Sequence, residues 1–237
     1  PAPGPQASLA PGVEPPLFKP PATDLAPLAQ PERIEQMGRF LREFRGGDCF
    51  VARPLALAAD SVEVEGVATD AAPLEKLNDD FKAQFGFEPN IGAWIISQAQ
   101  CAVTSFLSKA RIDPAMAPRL ELAATNLRSG QYLSGMVEAP RERVIEVLQI
   151  SDDGEAQNIT ALLRNAGARS FNLRVERAKA GGGPKPQLIV AIASAQPLQA
   201  LRSQRGVPAD RMFPAALAEA QQRGQPIGVS VRAYNLD

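Results

Sequence analysis

Cys49 and Cys101 are the side chains of this sequence best suited to covalent chemistry, and the complete absence of histidine limits what they can do. Without an imidazole there is no Cys-His or Ser-His-Asp nucleophile, no histidine-bearing metal site and no ordinary proton shuttle near neutral pH. Two cysteines are too few for a zinc site of their own and too far apart for a CxxC redox pair. They either pair with each other or stay as two buried free thiols. Pairing would close a loop of about 53 residues, which the chain-entropy model values at about 4 kcal/mol.

Other arrangements that carry chemistry fall short for identifiable reasons. No lysine has a serine three residues before it, so the SxxK route to histidine-free acyl transfer is absent. The glycine-rich Gly181-Gly-Gly-Pro-Lys185-Pro186 lacks the Ser or Thr after lysine, and the following helix, that a phosphate loop needs; it reads as a solvent loop. Asp152-Asp153-Gly154 lacks the alternating oxygens and terminal glutamate of a calcium loop and reads as a hairpin turn. Glycoside hydrolysis depends on a carboxylate separation that sequence does not encode, which keeps a carboxylate hydrolase of envelope glycans as a third functional reading. Glu63 and Glu65 share one side of a strand and are expected to face solvent opposite Val62 and Val64. Arg33, Arg39, Arg42 and Arg45, interspersed with Glu32, Glu35 and Glu43, form either a solvated helical face with local ion pairs or a contact for anionic lipid or polymer. Trp94 with Ile95 and Ile96, and Phe81, Phe85 and Phe87, supply core before they supply a pocket, because aromatics are only 5% of the chain.

The elements that must position these residues are legible from periodicity. Residues 31–44 place Ile34, Met37, Phe40, Leu41 and Phe44 at helical spacing, and Gly46-Gly47 stops the helix. Residues 49–57 read as a strand in which Pro54 marks an edge or a bulge, and residues 61–67 as its hairpin partner. A helix over 73–85 is closed by Gly86. A strand over 90–98 and a helix over 102–110 complete a small α+β unit, with the helices expected on one face of its sheet. Pro114 to Pro118 forms a joint. Beyond it, residues 120–123, 131–137, 143–150, 156–161, 170–177, 187–194 and 226–234 look like strands, separated by turn residues and broken by one helix near 212–223. That pattern predicts a β-sandwich. The helix is a candidate for partner contact whose spacing is equally that of a packing helix.

Residues 1–31 hold ten of the 22 prolines. They predict an extended or disordered tether spanning at most roughly 90 Å at about 3.1 Å per residue. The expected organisation is therefore a proline-rich linker over 1–31, an α+β domain over 32–113 and a sandwich-like domain over 118–237. The charge is balanced, 25 basic against 26 acidic residues, so nothing attracts nucleic acid globally. No apolar run of 18 or more residues spans a bilayer or forms a secretory signal. Any membrane contact is expected through a helix upstream of these residues.

Two stretches resemble known families. The hairpin ending in Val62-Glu-Val-Glu-Gly66-Val, the helix through Leu74-Glu-Lys-Leu-Asn-Asp-Asp-Phe81, and Phe87-Glu-Pro-Asn-Ile91 resemble the BON domains of bacterial envelope proteins. Val147-Leu-Gln-Ile-Ser-Asp-Asp-Gly154, Ser170-Phe-Asn-Leu and Leu188-Ile-Val-Ala-Ile-Ala-Ser194-Ala-Gln-Pro197-Leu198 are similar to the envelope-associated family labelled DUF4384. With Gly46-Gly47-Asp48-Cys49-Phe50 and Ala99-Gln100-Cys101, most of the globular part resembles the region after the transmembrane helix in alphaproteobacterial serine/threonine-kinase-like membrane proteins. That resemblance implies a periplasmic sensor or binding region, with the kinase across the membrane and the proline-rich start as a juxtamembrane spacer. It also favours a Cys49–Cys101 disulfide formed in an oxidising compartment. No kinase motif is present, so no catalytic residue is carried over, and no metal or cofactor is expected. The leading expectation is a non-enzymatic sensor or ligand-binding module; the alternative is an envelope scaffold or protein-interaction module without a signalling role. In either case the envelope ligand or protein partner stays unidentified by sequence.

Overall fold

In the computed structural model, which describes residues 30–166, 168–177, 183–203 and 205–237, the α+β unit forms around one strongly alternating strand. Residues 1–29 of the expected tether and residues 181 and 182 of the glycine-rich loop lie outside the described residues, whereas residues 30 and 31, expected in the tether, begin the first helix. The first unit runs α1 (Gln30–Glu43), β1 (Val51–Leu57), β2 (Val62–Ala68), α2 (Ala72–Phe85), β3 (Asn90–Ile95) and α3 (Cys101–Lys109). β2 is the middle strand, antiparallel to β1 and parallel to β3. Its Val62, Val64 and Ala68 are buried against Met37 and Leu41 of α1 and Leu77 and Phe81 of α2. Gly66 lies on that same face, where a Cβ would come within 2.3 Å of Leu74; its bare backbone lets α2 approach. β1 is an edge strand whose register shifts between Pro54 and Ala56, the irregularity that proline marks. Gly86 closes α2 at φ 82°, donating its N–H to the Lys82 carbonyl at 2.8 Å.

One expectation fails here. The three helices do not share a face: α1 and α2 cover one side of the sheet, whereas α3 lies in a different core. Val103 and Phe106 of α3 pack with Val67 and Ile96 of the first unit and with strands and a helix from the C-terminal half. The reason is the two-residue period of β2, which sends Val67 to the face opposite Val64. The sequence spacing identified α3 but carried no record of which face it would cover.

The second unit comprises β4 (Arg119–Leu122), β5 (Asn126–Leu127), β6 (Tyr132–Glu138), β7 (Val144–Ile150), β8 (Glu155–Asn158), β9 (Arg164–Ala166), β10 (Ala168–Arg174), β11 (Lys185–Ser194), β12 (Val207–Pro208), α4 (Ala209–Arg223) and β13 (Gly228–Leu236). Two sheets form, one ordered β4-β6-β10-β9 and the other β12-β8-β7-β11-β13-β5. Leu133, Val137 and Phe171 of the first meet Val147, Ile189 and Tyr234 of the second in the sandwich core. The fold is thus a small α+β unit followed by a mainly-β sandwich with one long helix, as the patterning indicates. β5, β9 and β12 are two or three residues long, too short to leave a periodic signal.

β11 is central and has neighbours on both edges, β7 and β13. Its Ile189 and Ala191 enter the sandwich, while Leu188, Val190 and Ile192 point outward into the core shared with α3 and α4. The two units are further keyed by Gln100, fully buried, whose amide donates to the Pro186 carbonyl at 3.0 Å. Gly154, at φ 83° in the turn between β7 and β8, leaves space that a Cβ would contest with Ala99 at 2.7 Å. Even the Pro114 joint is pinned: the Asp113 N–H donates to the Ile227 carbonyl at 2.9 Å.

This shared core makes a prediction. Phe106→Ala, which removes a ring 5.4 Å from that of Phe213, should cost about 3–5 kcal/mol. Denaturant unfolding followed by Trp94 fluorescence and by far-ultraviolet circular dichroism should move together. Separated transitions would mean the two units fold independently.

Candidate functional site

Cys49 and Cys101 form a disulfide with a Cα–Cα distance of 4.9 Å. It joins the residue two before β1 to the first residue of α3. Side chains of α3 reinforce the junction: the Thr104 hydroxyl donates to the Cys101 carbonyl at 2.8 Å, and the Ser105 hydroxyl donates to the Asp48 carbonyl at 3.2 Å. Such a bond is compatible with an oxidising, extracytoplasmic compartment. No helix among the described residues is long and apolar enough to cross a membrane.

Between β1 and α3 lies a cleft with a volume of about 530 Å³. That lies within the roughly 300–1,000 Å³ typical of small-molecule sites. One wall is residues 50–54, a second is the 103–108 stretch of α3, and the third runs from Leu41 and Arg42 at the end of α1 to Phe44 and Arg45 just after it. The floor is the outer face of the six-stranded sheet at Leu188, Val229 and Val231. Both units contribute, and the disulfide sets how far two of the walls stand apart.

Charge enters the cleft through Arg42, Arg45, Arg53 and Glu65. The arginines of α1 and of the segment just after it therefore divide, which their spacing did not reveal. Arg39 pairs with Glu35 at 2.9 Å on the open face. Arg33 donates to the Phe85 carbonyl at 2.6 Å and to the Ala59 carbonyl at 3.0 Å, fastening α1 to its unit. Arg42 and Arg45 are exposed, line the cleft and form no ion pair among the described residues.

Glu65 corrects the expectation of two solvent-facing carboxylates. Glu63 is exposed, but the Glu65 side chain is only 14% exposed, paired with Arg53 at 2.7 Å and with Arg232 of β13 at 3.6 Å. The face of β2 taken for solvent is roofed by α3 and the second unit. Burial raises the Glu65 carboxyl above the usual 4.5, against the opposing pull of Arg53 and the Trp94 indole. Its alternation was visible in sequence; the cover over that face was not.

The remaining expectations resolve as packing. Phe81 and Phe85 are buried with ring centroids 4.6 Å apart, and Trp94 packs partly buried against the shared core. The aromatics that line the cleft are Phe44 and Phe50. Asp153 sits in the β7–β8 turn, hydrogen-bonded with the Ser151 hydroxyl. α4 presents Ala216 and Ala220 to the core. No protein-family model, curated protein or solved structure matches the chain.

Two outcomes are expected. Replacing both cysteines by serine should lower stability by about 2–4 kcal/mol in denaturant titration, and unreduced, unfolded wild type should contain no reactive thiol. Glu65→Gln should gain stability on wild type as pH rises from about 4 to 7. The folded carboxyl has the higher pKa, so its burial imposes no cost below 4.5, where both states are protonated; the cost appears as pH climbs through the raised value. Parallel stability curves for the two proteins would contradict this.

Proposed function

We propose that this chain is a non-enzymatic, ligand-binding sensor module of the bacterial envelope, working in the periplasm, with the cleft between its two units as the recognition site. The observation that carries the proposal is the cleft itself, an apolar space of ligand size, walled by both units and braced at one end by the Cys49–Cys101 bond. Recognition rather than turnover is favoured by its lining. Among the residues that form it, Glu65 is the single carboxylate, whereas glycoside hydrolysis takes two, and Glu65 is engaged by two arginines. The disulfide supports an oxidising compartment, and the resemblance to kinase-like membrane proteins supports the periplasm of a signalling protein whose catalytic step lies outside these residues.

The test is occupancy by a neutral apolar fluorophore, N-phenyl-1-naphthylamine. Wild type should bind it and enhance its emission. Leu107→Trp and Ser108→Trp, which fill the cleft from α3, should weaken binding at least tenfold with thermal unfolding little changed. Ser108 is exposed, so its variant tests the site even if Leu107→Trp unfolds. Full binding by both folded variants would remove the cleft as the site.

A further inference from the structure

The cleft is chemically lopsided. Its interior is aliphatic, formed by Val103 and Leu107 of α3 with Leu188, Val229 and Val231 of the sheet below. The hydroxyl of Thr104, which also lines it, is committed to the Cys101 and Asp48 carbonyls at 2.8 and 3.3 Å. The interior thus offers a ligand little to hydrogen-bond except the Arg53–Glu65 pair, whose charges already face each other at 2.7 Å. A compound with polar groups along its length would lose its hydration there without replacement.

The rim is the opposite. Three arginines line the cleft against one glutamate, and that glutamate is additionally approached by Arg232 at 3.6 Å. The surplus is positive and sits on Arg42, in the last turn of α1, and on Arg45, two residues beyond the helix end at Glu43. Both are exposed at the mouth, whereas Val103 and Val229 are buried at the floor. Guanidinium groups suit a carboxylate, which they can engage through parallel N–H donors.

From this polarity we infer that the cleft takes a long-chain alkyl carboxylate, a fatty-acid-like monoanion whose chain lies along the half-buried Leu107, Ile112 and Val231, above the buried Val103, Leu188 and Val229, and whose head is held by Arg42 and Arg45. The inference rests on the cleft being the binding site and adds the class of ligand. The unpaired rim arginines select the anion. The aliphatic interior selects a linear chain over a hydroxylated or ring-bearing compound. The Arg53–Glu65 pair is nearly neutral as a unit, so it does not compete with the rim for the head.

Displacement of N-phenyl-1-naphthylamine from the whole chain provides the test, with every ligand below its micelle concentration. Dodecanoate should displace the probe at least tenfold more effectively than dodecanol or dodecyltrimethylammonium. Lengthening the carboxylate from eight to twelve carbons should tighten binding about fourfold per methylene until the cleft is full. Arg42→Gln with Arg45→Gln should weaken dodecanoate about tenfold or more while leaving dodecanol unchanged, and raising salt should mimic that loss in wild type. Dodecyl phosphate binding far more tightly than dodecanoate would overturn the carboxylate assignment. Equal binding of dodecanoate and dodecanol, or indifference to the two substitutions, would overturn the anionic head. In those cases probe binding sensitive to Ser108→Trp would still uphold the cleft as the site. Failure of the probe and of every chain compound to bind would bring down both readings.

Discussion

Double-sided burial of β11 is the constraint on which the rest of the structure depends. In an antiparallel sheet one face is commonly wet, giving alternation of apolar and polar residues. Here Leu188-Ile-Val-Ala-Ile-Ala193 is apolar throughout, and every residue of that run is buried. A sheet with two apolar faces needs two covers. The four-stranded sheet supplies one. α4 supplies much of the other but does not span it, and the first unit brings α3, Val67 and Trp94 to the remainder. The first unit is therefore completing a core, and the cleft has the outer face of that sheet as its floor.

The disulfide acts on a different part of the same problem. α3 belongs by sequence to the first unit and by packing to the shared core, so its position relative to β1 is set by few contacts within the first sheet. The covalent bond from Cys49 to Cys101 fixes that relation at a Cα–Cα distance of 4.9 Å. Its entropic effect on the unfolded chain is that of any closure of this length. Its local effect is more specific: the residues immediately after each cysteine form facing walls of the cleft, so the bond limits how far they can part.

Most of the elements could be read from the sequence because their signals are local. The helical spacing of Met37, Phe40 and Leu41, the alternation from Val62 to Val67, and the glycine after Phe85 each depend on residues within a few positions of one another. The cleft could not be read, because its parts are about 190 positions apart along the chain, from Leu41 to Val231. Glu65 illustrates the boundary between the two kinds of information. Period-two alternation correctly placed it opposite Val64. Whether that face met water or another domain depended on where α3 packed, and α3 has apolar residues enough to satisfy either arrangement. The buried cluster of Gln149, Gln187 and Tyr234 shows the same limit. The Gln149 amide donates to the Tyr234 hydroxyl at 2.9 Å, and that hydroxyl donates to Gln187 at 3.0 Å. Nothing local distinguishes these glutamines from exposed strand residues, and only the four-stranded sheet packed over that face makes the cluster interior.

The geometry also constrains how occupancy of the cleft would be transmitted on the proposed function. A ligand shifts an equilibrium only through a difference in its contacts between two states, so at least one wall has to move. β1 and α3 are joined by the disulfide, and the floor is a sheet locked between two cores; these are the stiff walls. α1 is the remaining one. It rests on the opposite face of the first sheet through Met37 and Leu41, is fastened by the two hydrogen bonds of Arg33, and carries Arg42 in its last turn, with Arg45 two residues beyond its end. A head group that neutralises those two charges removes repulsion between them and favours closure of the α1 end over the cleft. Because Arg33 lies one turn from the start of α1 and Arg42 in its last turn, a tilt at the mouth is carried along a continuous helix of 14 residues to the end that joins residue 29. A helix with no residue in the shared core is thus the one placed to report what the cleft contains.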